Sequence, residues 1–93
     1  MIVDFDRSFY DDLSKITDTT VLQRSDKAID KLKSANSLRE VSNIKAIKGH
    51  PNHFRLRFGD FRIGFCLENK HTITLLAIDH RSKIYRHFPN NFA

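Results

Sequence analysis

The sequence predicts an α+β domain of two layers. A short N-terminal strand and a helical hairpin precede an antiparallel sheet, in the order β-α-α-β-β-β with a short C-terminal turn or strand. Three observations predict it. Apolar residues recur at helical spacing from Phe9 to Ala35. Apolar and basic residues then alternate strictly from His53 to Leu67 around a Gly59-Asp60 pair. A further apolar run, Thr72 to Asp79, follows a short polar break. The helices need an apolar surface to cover, and the alternating segments supply one.

Ile2 to Phe5 is a short strand candidate. Asp6 is placed to cap a helix, with Asp11 and Asp12 early in it and Phe9, Leu13 and Ile16 forming one apolar stripe. Asp18-Thr19-Thr20 breaks that pattern and can cap a second helix running to about Ser34. Leu22, Ser25, Ile29, Leu32 and Ala35 form its buried stripe. Arg24, Asp26, Lys27, Lys31 and Lys33 form a mixed-charge face that reads as solvated, and neither helix carries a functional signal. Ser37-Leu38-Arg39-Glu40 has the capping-box pattern, which predicts a further helical turn with Leu38, Val41, Ile44 and Ile47 on its apolar side. Lys48-Gly49-His50-Pro51-Asn52 is a loop.

Gly59-Asp60 is a two-residue turn of the kind with glycine at its first central position. It sets Phe58 opposite Phe61, Arg57 opposite Arg62 and Arg55 opposite Gly64. One face then carries Phe54, Leu56, Phe58, Phe61, Ile63, Phe65 and Leu67; the other carries Arg55, Arg57 and Arg62. Gly64 leaves open space opposite Arg55, where a phosphate or a base can approach. Asn69-Lys70 leads into the third strand of this sheet. A loop that takes in His71 directs Ile73, Leu75 and Ala77 into the core, whereas a loop one residue shorter directs them to the arginine face. The first register buries the larger apolar set and is the one expected. Ile84 and Phe88, four apart, suit a short helical turn or a last strand, and Asn90 to Ala93 is expected to fray.

The arginine pair costs stability. Like charges directly opposed across strands repel, where a neutral or opposite pair would stabilise by about 0.2–1 kcal/mol. Arginine also offers a planar fork of donors matched to phosphate. The pattern therefore points to a bound anion, with a solvated face that happens to be basic as the plain alternative. The net charge of +5 sharpens this. Residues 1–47 hold eight basic and eight acidic side chains, whereas residues 48–93 hold eight basic, three acidic and all five histidines. The excess lies in the half containing the hairpin and fits a polyanion, nucleic acid first, or an acidic protein.

Ninety-three residues suit one domain, residues 1–93. No apolar run approaches a membrane span, and acids stand where a secretory signal would carry bases, so a cytoplasmic protein is expected. The single Cys66 precludes an internal disulfide and suits a small, partly buried apolar side chain. One cysteine without paired histidine spacing argues against a structural zinc site.

Across essentially its whole length the chain resembles the RelE/ParE superfamily of toxins from bacterial type II toxin–antitoxin modules. The features that carry the resemblance are the strand and helical hairpin, the Ile44-Lys45-x-x-Lys48-Gly49 loop, the segment Phe54-Arg55-Leu56-Arg57-Phe58-Gly59-Asp60-Phe61-Arg62-Ile63-Gly64-Phe65, and the closing Asp79-His80-Arg81 with Tyr85. The resemblance implies a RelE-like fold and a small antitoxin partner whose acidic, partly disordered segment folds on the toxin. For the RelE branch it implies cleavage of ribosome-bound mRNA by the RNA's own 2′-hydroxyl, with no metal or other cofactor. For the ParE branch it implies inhibition of DNA gyrase, and a catalytically inactive, antitoxin-binding member is a third form. Carried over to this chain, the ribonuclease site falls on Arg55, Arg57, Arg62, Arg81 and Tyr85, with Lys48 and Lys83 as further contacts to RNA phosphate. The best-known members have lysine where this chain has Arg55 and Arg57. Arginine stays protonated, so His80 is the expected general base, with His53 and His87 as further candidates.

Overall fold

A computed structural model describes residues 1–90. The elements are β1 (Ile2–Phe5), α1 (Arg7–Ser14), α2 (Thr19–Ser34), a 3₁₀ turn (Leu38–Glu40), β2 (Ile44–Ala46), β3 (His53–Phe58), β4 (Phe61–Asn69), β5 (Thr72–His80) and a second 3₁₀ turn (Ile84–Arg86). The strands form one sheet in the order β1-β5-β4-β3-β2. β1 runs parallel to β5, and every other pair is antiparallel. The sheet is therefore mixed rather than wholly antiparallel, and it has one strand more than expected.

Both helices start where their caps predict. Asp6 accepts from the Ser8 amide at 3.1 Å, and Asp18 accepts from the Thr20 and Val21 amides at 2.9 and 3.3 Å. Each satisfies amides that the first helical turn leaves unpaired. Phe9 from α1 and Ala28, Ile29 and Leu32 from α2 are buried on one face of the sheet against Leu56, Ile63, Phe65, Ile73, Leu75 and Ile78. Each large side chain buried in this way stabilises by about 1.5–3 kcal/mol. Two polar contacts fix α1 on the sheet: Ser8 Oγ donates to the Leu76 carbonyl at 2.6 Å, and the Ile78 amide donates to Asp12 Oδ2 at 3.1 Å.

The additional strand corrects the expected helical turn. Glu40 does fold back on the Ser37 amide at 2.9 Å, but the turn stops after three residues. Asn43 has a φ of +67°, and the chain then extends so that Ile44 lies opposite Leu56 and Lys45 opposite Arg55. Apolar spacing of three through Leu38, Val41 and Ile44 fitted a helix. The open hydrogen-bonding edge of β3 outweighed that preference, as sheet pairing commonly overrides local propensity.

The third strand of the meander follows the expected register only in part. Ile73 and Leu75 are fully buried on the helix side, paired with Leu67 and Phe65. A bulge at Leu76 then shifts the pairing, so that Ala77 lies opposite Gly64 on the arginine face and Ile78 lies opposite Ile63 in the main core. One extra residue reverses the parity of everything beyond it. Leu76, Ala77, Ile84 and Phe88 form a second, smaller core, flanked by Ile47 and Cys66. The C-terminal segment thus folds as a 3₁₀ turn against the arginine face instead of adding a strand. Of the end expected to fray, residues 91–93 lie outside the described residues.

Candidate functional site

The Gly59-Asp60 turn has the anticipated form: Gly59 has a φ of +58°, and Phe58 pairs with Phe61. Arg57 lies directly opposite Arg62, and Arg55 lies opposite Gly64. The two arginines of β3 are steadied by one residue, Asn43. Its carbonyl accepts from Arg55 Nη1 at 3.1 Å and from the Arg57 amide at 3.0 Å, and its Oδ1 accepts from Arg57 Nη2 at 3.2 Å. Arg62 turns back over the hairpin, where Nη1 donates to the carbonyls of Gly59 and Phe61 at 3.1 and 3.0 Å.

Arg81 reaches the same turn from the end of β5. Its amide donates to the Asp60 carbonyl at 2.7 Å, and its Nε lies 3.7 Å from Asp60 Oδ1. Both side chains of that pair are about two-thirds exposed, so the pair contributes about 0–1 kcal/mol and exchanges readily for a better anion. Tyr85 sits on the C-terminal turn with about half of its surface exposed. Arg62 is the hub of the group. Burial lowers its proton affinity first, and the charges of Arg55, Arg57 and Arg81 add to this, while Tyr85 acts the other way. All four therefore lie within electrostatic reach of one guanidinium.

Three expected members are not brought together with this cluster. His80 pairs across the sheet with Phe61 and packs edge-on against its ring, 5.6 Å between centroids, on the helix side. Strand alternation gives the arginine face to its neighbour Asp79, opposite Arg62, which corrects the expectation that His80 stands among the arginines. His80 Nδ1 accepts from the Ser82 amide at 3.1 Å and lies 2.8 Å from Ser82 Oγ. Lys83 lines a groove beside α1 with Asp11, Asp12, Asp18 and His80. Lys48 belongs to the β2–β3 loop, at the opposite end of β3 from Gly59.

The other two histidines considered also have partners of their own. His87 Nε2 is 3.2 Å from Asp79 Oδ2. His53 is on the arginine face but at the far end of β3. Its Nδ1 lies 2.8 Å from the Pro51 carbonyl, and its ring is 6.1 Å from that of Phe88. Cys66 donates to Glu68 Oε1 at 3.1 Å, and burial followed by that carboxylate pushes its thiol up to about 11, far from a reactive thiolate. Among the described residues no three His, Cys, Asp or Glu side chains gather as metal ligands.

The space expected opposite Arg55 is also filled. A Cβ at Gly64 would stand 2.7 Å from three carbons of the Phe88 ring, so this glycine is required by the close approach of the C-terminal segment and leaves no opening for ligand. Sequence reasoning missed Asn43, the clamp of the two arginines, and Lys45, which adds a cation to the face opposite Arg55. The alternation Ile44-Lys45-Ala46 was the available signal, hidden by the helical spacing that overlaps it.

Comparison with known proteins accords with this architecture. Residues 3–85 match the model of the family described as the ParE toxin of the type II toxin–antitoxin system parDE. Toxin RelE3 of Methanocaldococcus jannaschii is 36% identical over 90 residues, which cover 96% of this chain and all of that protein. The crystal structure of a RelB–RelE antitoxin–toxin complex from Methanococcus jannaschii contains a chain 34% identical to this one, with a TM-score of 0.76 over 92% of this chain and 99% of that one. The RelBE2 toxin–antitoxin complex of Mycobacterium tuberculosis shares the fold at 20% identity, with a TM-score of 0.68 over 87% of this chain and 91% of that one. The chain belongs to the ParE toxin family of type II toxin–antitoxin systems, within the RelE/ParE superfamily.

Proposed function

We propose that this toxin is an endoribonuclease acting on ribosome-bound mRNA, and that the cluster around Arg62 is its active site. The observation that carries the reading is Arg57 paired directly opposite Arg62 on the sheet face that also carries Arg55, with Arg81 anchored at the same Gly59-Asp60 turn, a like-charged arrangement that folding alone would not favour. In the reaction the RNA 2′-oxygen passes its proton to a water molecule and bonds to the adjacent phosphorus. The bond from phosphorus to the 5′-oxygen breaks, that oxygen takes up a proton, and the products are a 2′,3′-cyclic phosphate and a 5′-hydroxyl. Arg57, Arg62 and Arg81 stabilise the charge that develops on the phosphate, since preorganised donors are the strongest electrostatic device available to a site. Arg55 holds a flanking phosphate. Tyr85, the hydroxyl at the cluster, stacks on the displaced base or protonates the leaving oxygen. His80, Lys83 and Lys48 fall outside the assignment because of their positions.

Primer extension on mRNA from expressing cells tests the assignment. Arg62→Ala and Arg81→Ala should each lower cleavage by about 10²–10³-fold, the usual cost of one transition-state donor. His80→Ala should leave cleavage largely intact. Full cleavage by both arginine variants sinks the proposal. A small antitoxin with an acidic segment is the proposed protein partner, as the related toxin chains are held in complexes with RelB, and co-purification from a two-gene plasmid checks it. The cytoplasm is the compartment this reading requires. The matching family is described as a ParE toxin, and gyrase inhibition, which the resemblance implies for the ParE branch, is the second reading. Accumulated gyrase–DNA cleavage complexes with intact mRNA would select it.

A further inference from the structure

A groove of about 380 Å³ runs from the Gly59 turn along α2. Arg24, Lys27, Lys31 and Arg57 supply its charge, and no acidic side chain lines it. Arg24, Lys27 and Lys31 stand at i, i+3 and i+7, so they share one helix face. Of the acids interleaved with them, Asp26 borders a different groove beside Phe5 and Phe9, and Asp30 reaches both that groove and an adjoining one beyond Lys31, where Glu40 marks the acidic end of the basic groove. Net neutrality in this half of the chain therefore conceals a one-signed wall. The wall joins the arginine cluster directly. Arg24 Nη1 lies 3.1 Å from the point where a Gly59 Cβ would stand, and the Gly59 carbonyl is held by Arg62. The floor is apolar, with Leu56, Val41 and the half-buried ring of Phe58, whose centroid is 6.0 Å from that of Phe61.

We infer that this groove is a single-stranded RNA track continuous with the Arg57–Arg62 site, in which Arg24, Lys27 and Lys31 bind successive phosphates and Phe58 receives a base. The inference rests on the ribonuclease reading and extends it from the scissile phosphate to its flanking nucleotides. Cations along the backbone path together with an aromatic platform are the combination by which single strands are held without sequence preference. The charge is complementary to RNA along the whole groove. Lysines at i and i+4 lie about 6 Å apart along a helix axis, on the scale of phosphate spacing. Arg24 reaches the catalytic turn, so it would hold the phosphate nearest the scissile one.

The test is titration of a short fluorescein-labelled single-stranded RNA by fluorescence anisotropy between about 50 and 200 mM salt. The variants are R24A/K27A/K31A, Phe58→Leu and the control Lys70→Ala, from the β4–β5 turn. Circular dichroism melts identify any variant that fails to fold, and Phe58→Leu supplies a second, charge-neutral arm. Each phosphate contact to a single strand contributes about −0.7 to the slope of log affinity against log salt, so the triple variant should lose about 2 from that slope. It should also bind at least tenfold more weakly at low salt, Phe58→Leu should bind about fivefold more weakly, and Lys70→Ala should match the wild type. An unchanged affinity and slope in the triple variant overturns the track, even where Arg62→Ala abolishes mRNA cleavage. If the triple variant instead loses co-purification with the antitoxin while RNA binding stays intact, the groove is a protein site and the inference is likewise overturned. Loss of cleavage in Arg62→Ala is read separately, so the two proposals fail on different measurements.

Discussion

Arg57 and Arg62 face each other at a position where folding prefers almost any other pairing. Replacing Arg57 with Thr removes the repulsion and places a β-branched residue in a strand, so the variant should be more stable by about 0.2–1 kcal/mol. It should at the same time lose cleavage. Urea unfolding beside primer extension checks both, and a variant that is less stable and still active would remove the argument that the pair is kept for its ligand. At this scale the sequence was informative where alternation was unbroken. Arg55, Arg57 and Arg62 were all assigned to one face correctly, as was the pairing across Gly59-Asp60. His80 was misplaced because a residue type was weighed without its strand parity. Asn43 could not be found at all, since its role depends on a positive φ and on strand β2, neither of which the local pattern announces.

At the scale of elements, the bulge at Leu76 and the seat of Phe88 on Gly64 determine how the C-terminal segment meets the sheet. The bulge brings Ala77 to the arginine face, and Ala77 with Gly64 leaves the shallow floor that the Phe88 ring occupies. Phe88 follows the turn that carries Tyr85 and its amide donates to the Ile84 carbonyl at 2.9 Å, so this seat fixes where Tyr85 stands. Gly64→Ala should cost about 1–3 kcal/mol through overpacking. Phe88→Ala should cost about 3–5 kcal/mol through the cavity it leaves. The double variant should cost clearly less than the sum, because the added methyl then meets space instead of a ring. Chemical denaturation of the four proteins measures this, and strict additivity would show that the contact does not couple the two. The helices, with their aspartate caps and apolar stripes, were legible in sequence. The bulge was not, because Leu75-Leu76-Ala77-Ile78 is apolar throughout and carries no parity of its own.

For the whole molecule, one carboxylate ties the helical layer to the sheet. Asp12 accepts the Ile78 amide across that interface, and burial raises its pKa above the usual carboxylate range, with the amide and His87 opposing. A raised carboxyl favours the protonated folded form. The ionised group therefore costs stability at neutral pH, and that cost disappears as pH falls through its folded value. Asp12→Asn keeps an acceptor for Ile78 and removes the charge. It should melt higher than wild type at about pH 7 and converge with it at about pH 3, below the unfolded value near 3.9. Parallel thermal melts at the two pH values read this directly, and a lower melting temperature at neutral pH would contradict it. Charge at this scale was only half legible. The excess in residues 48–93 pointed to the hairpin, but counting by halves cancelled Arg24, Lys27 and Lys31 against acids that do not line their groove.

The sheet order β1-β5-β4-β3-β2 has a consequence for birth on the ribosome. The first strand synthesised pairs with the last, and α1 is also bonded to β5 through Ser8 and Asp12. The N-terminal elements therefore stay without their partners until residues 72–80 have emerged. The β3–β4 hairpin closes through near neighbours and can form earlier, whereas contacts of long sequence separation come late. Arg81 and Tyr85 are translated after all five strands of the sheet. The arginine constellation is thus completed only after β5 and the turn that follows it have emerged, and until then the nascent chain carries only its hairpin arginines.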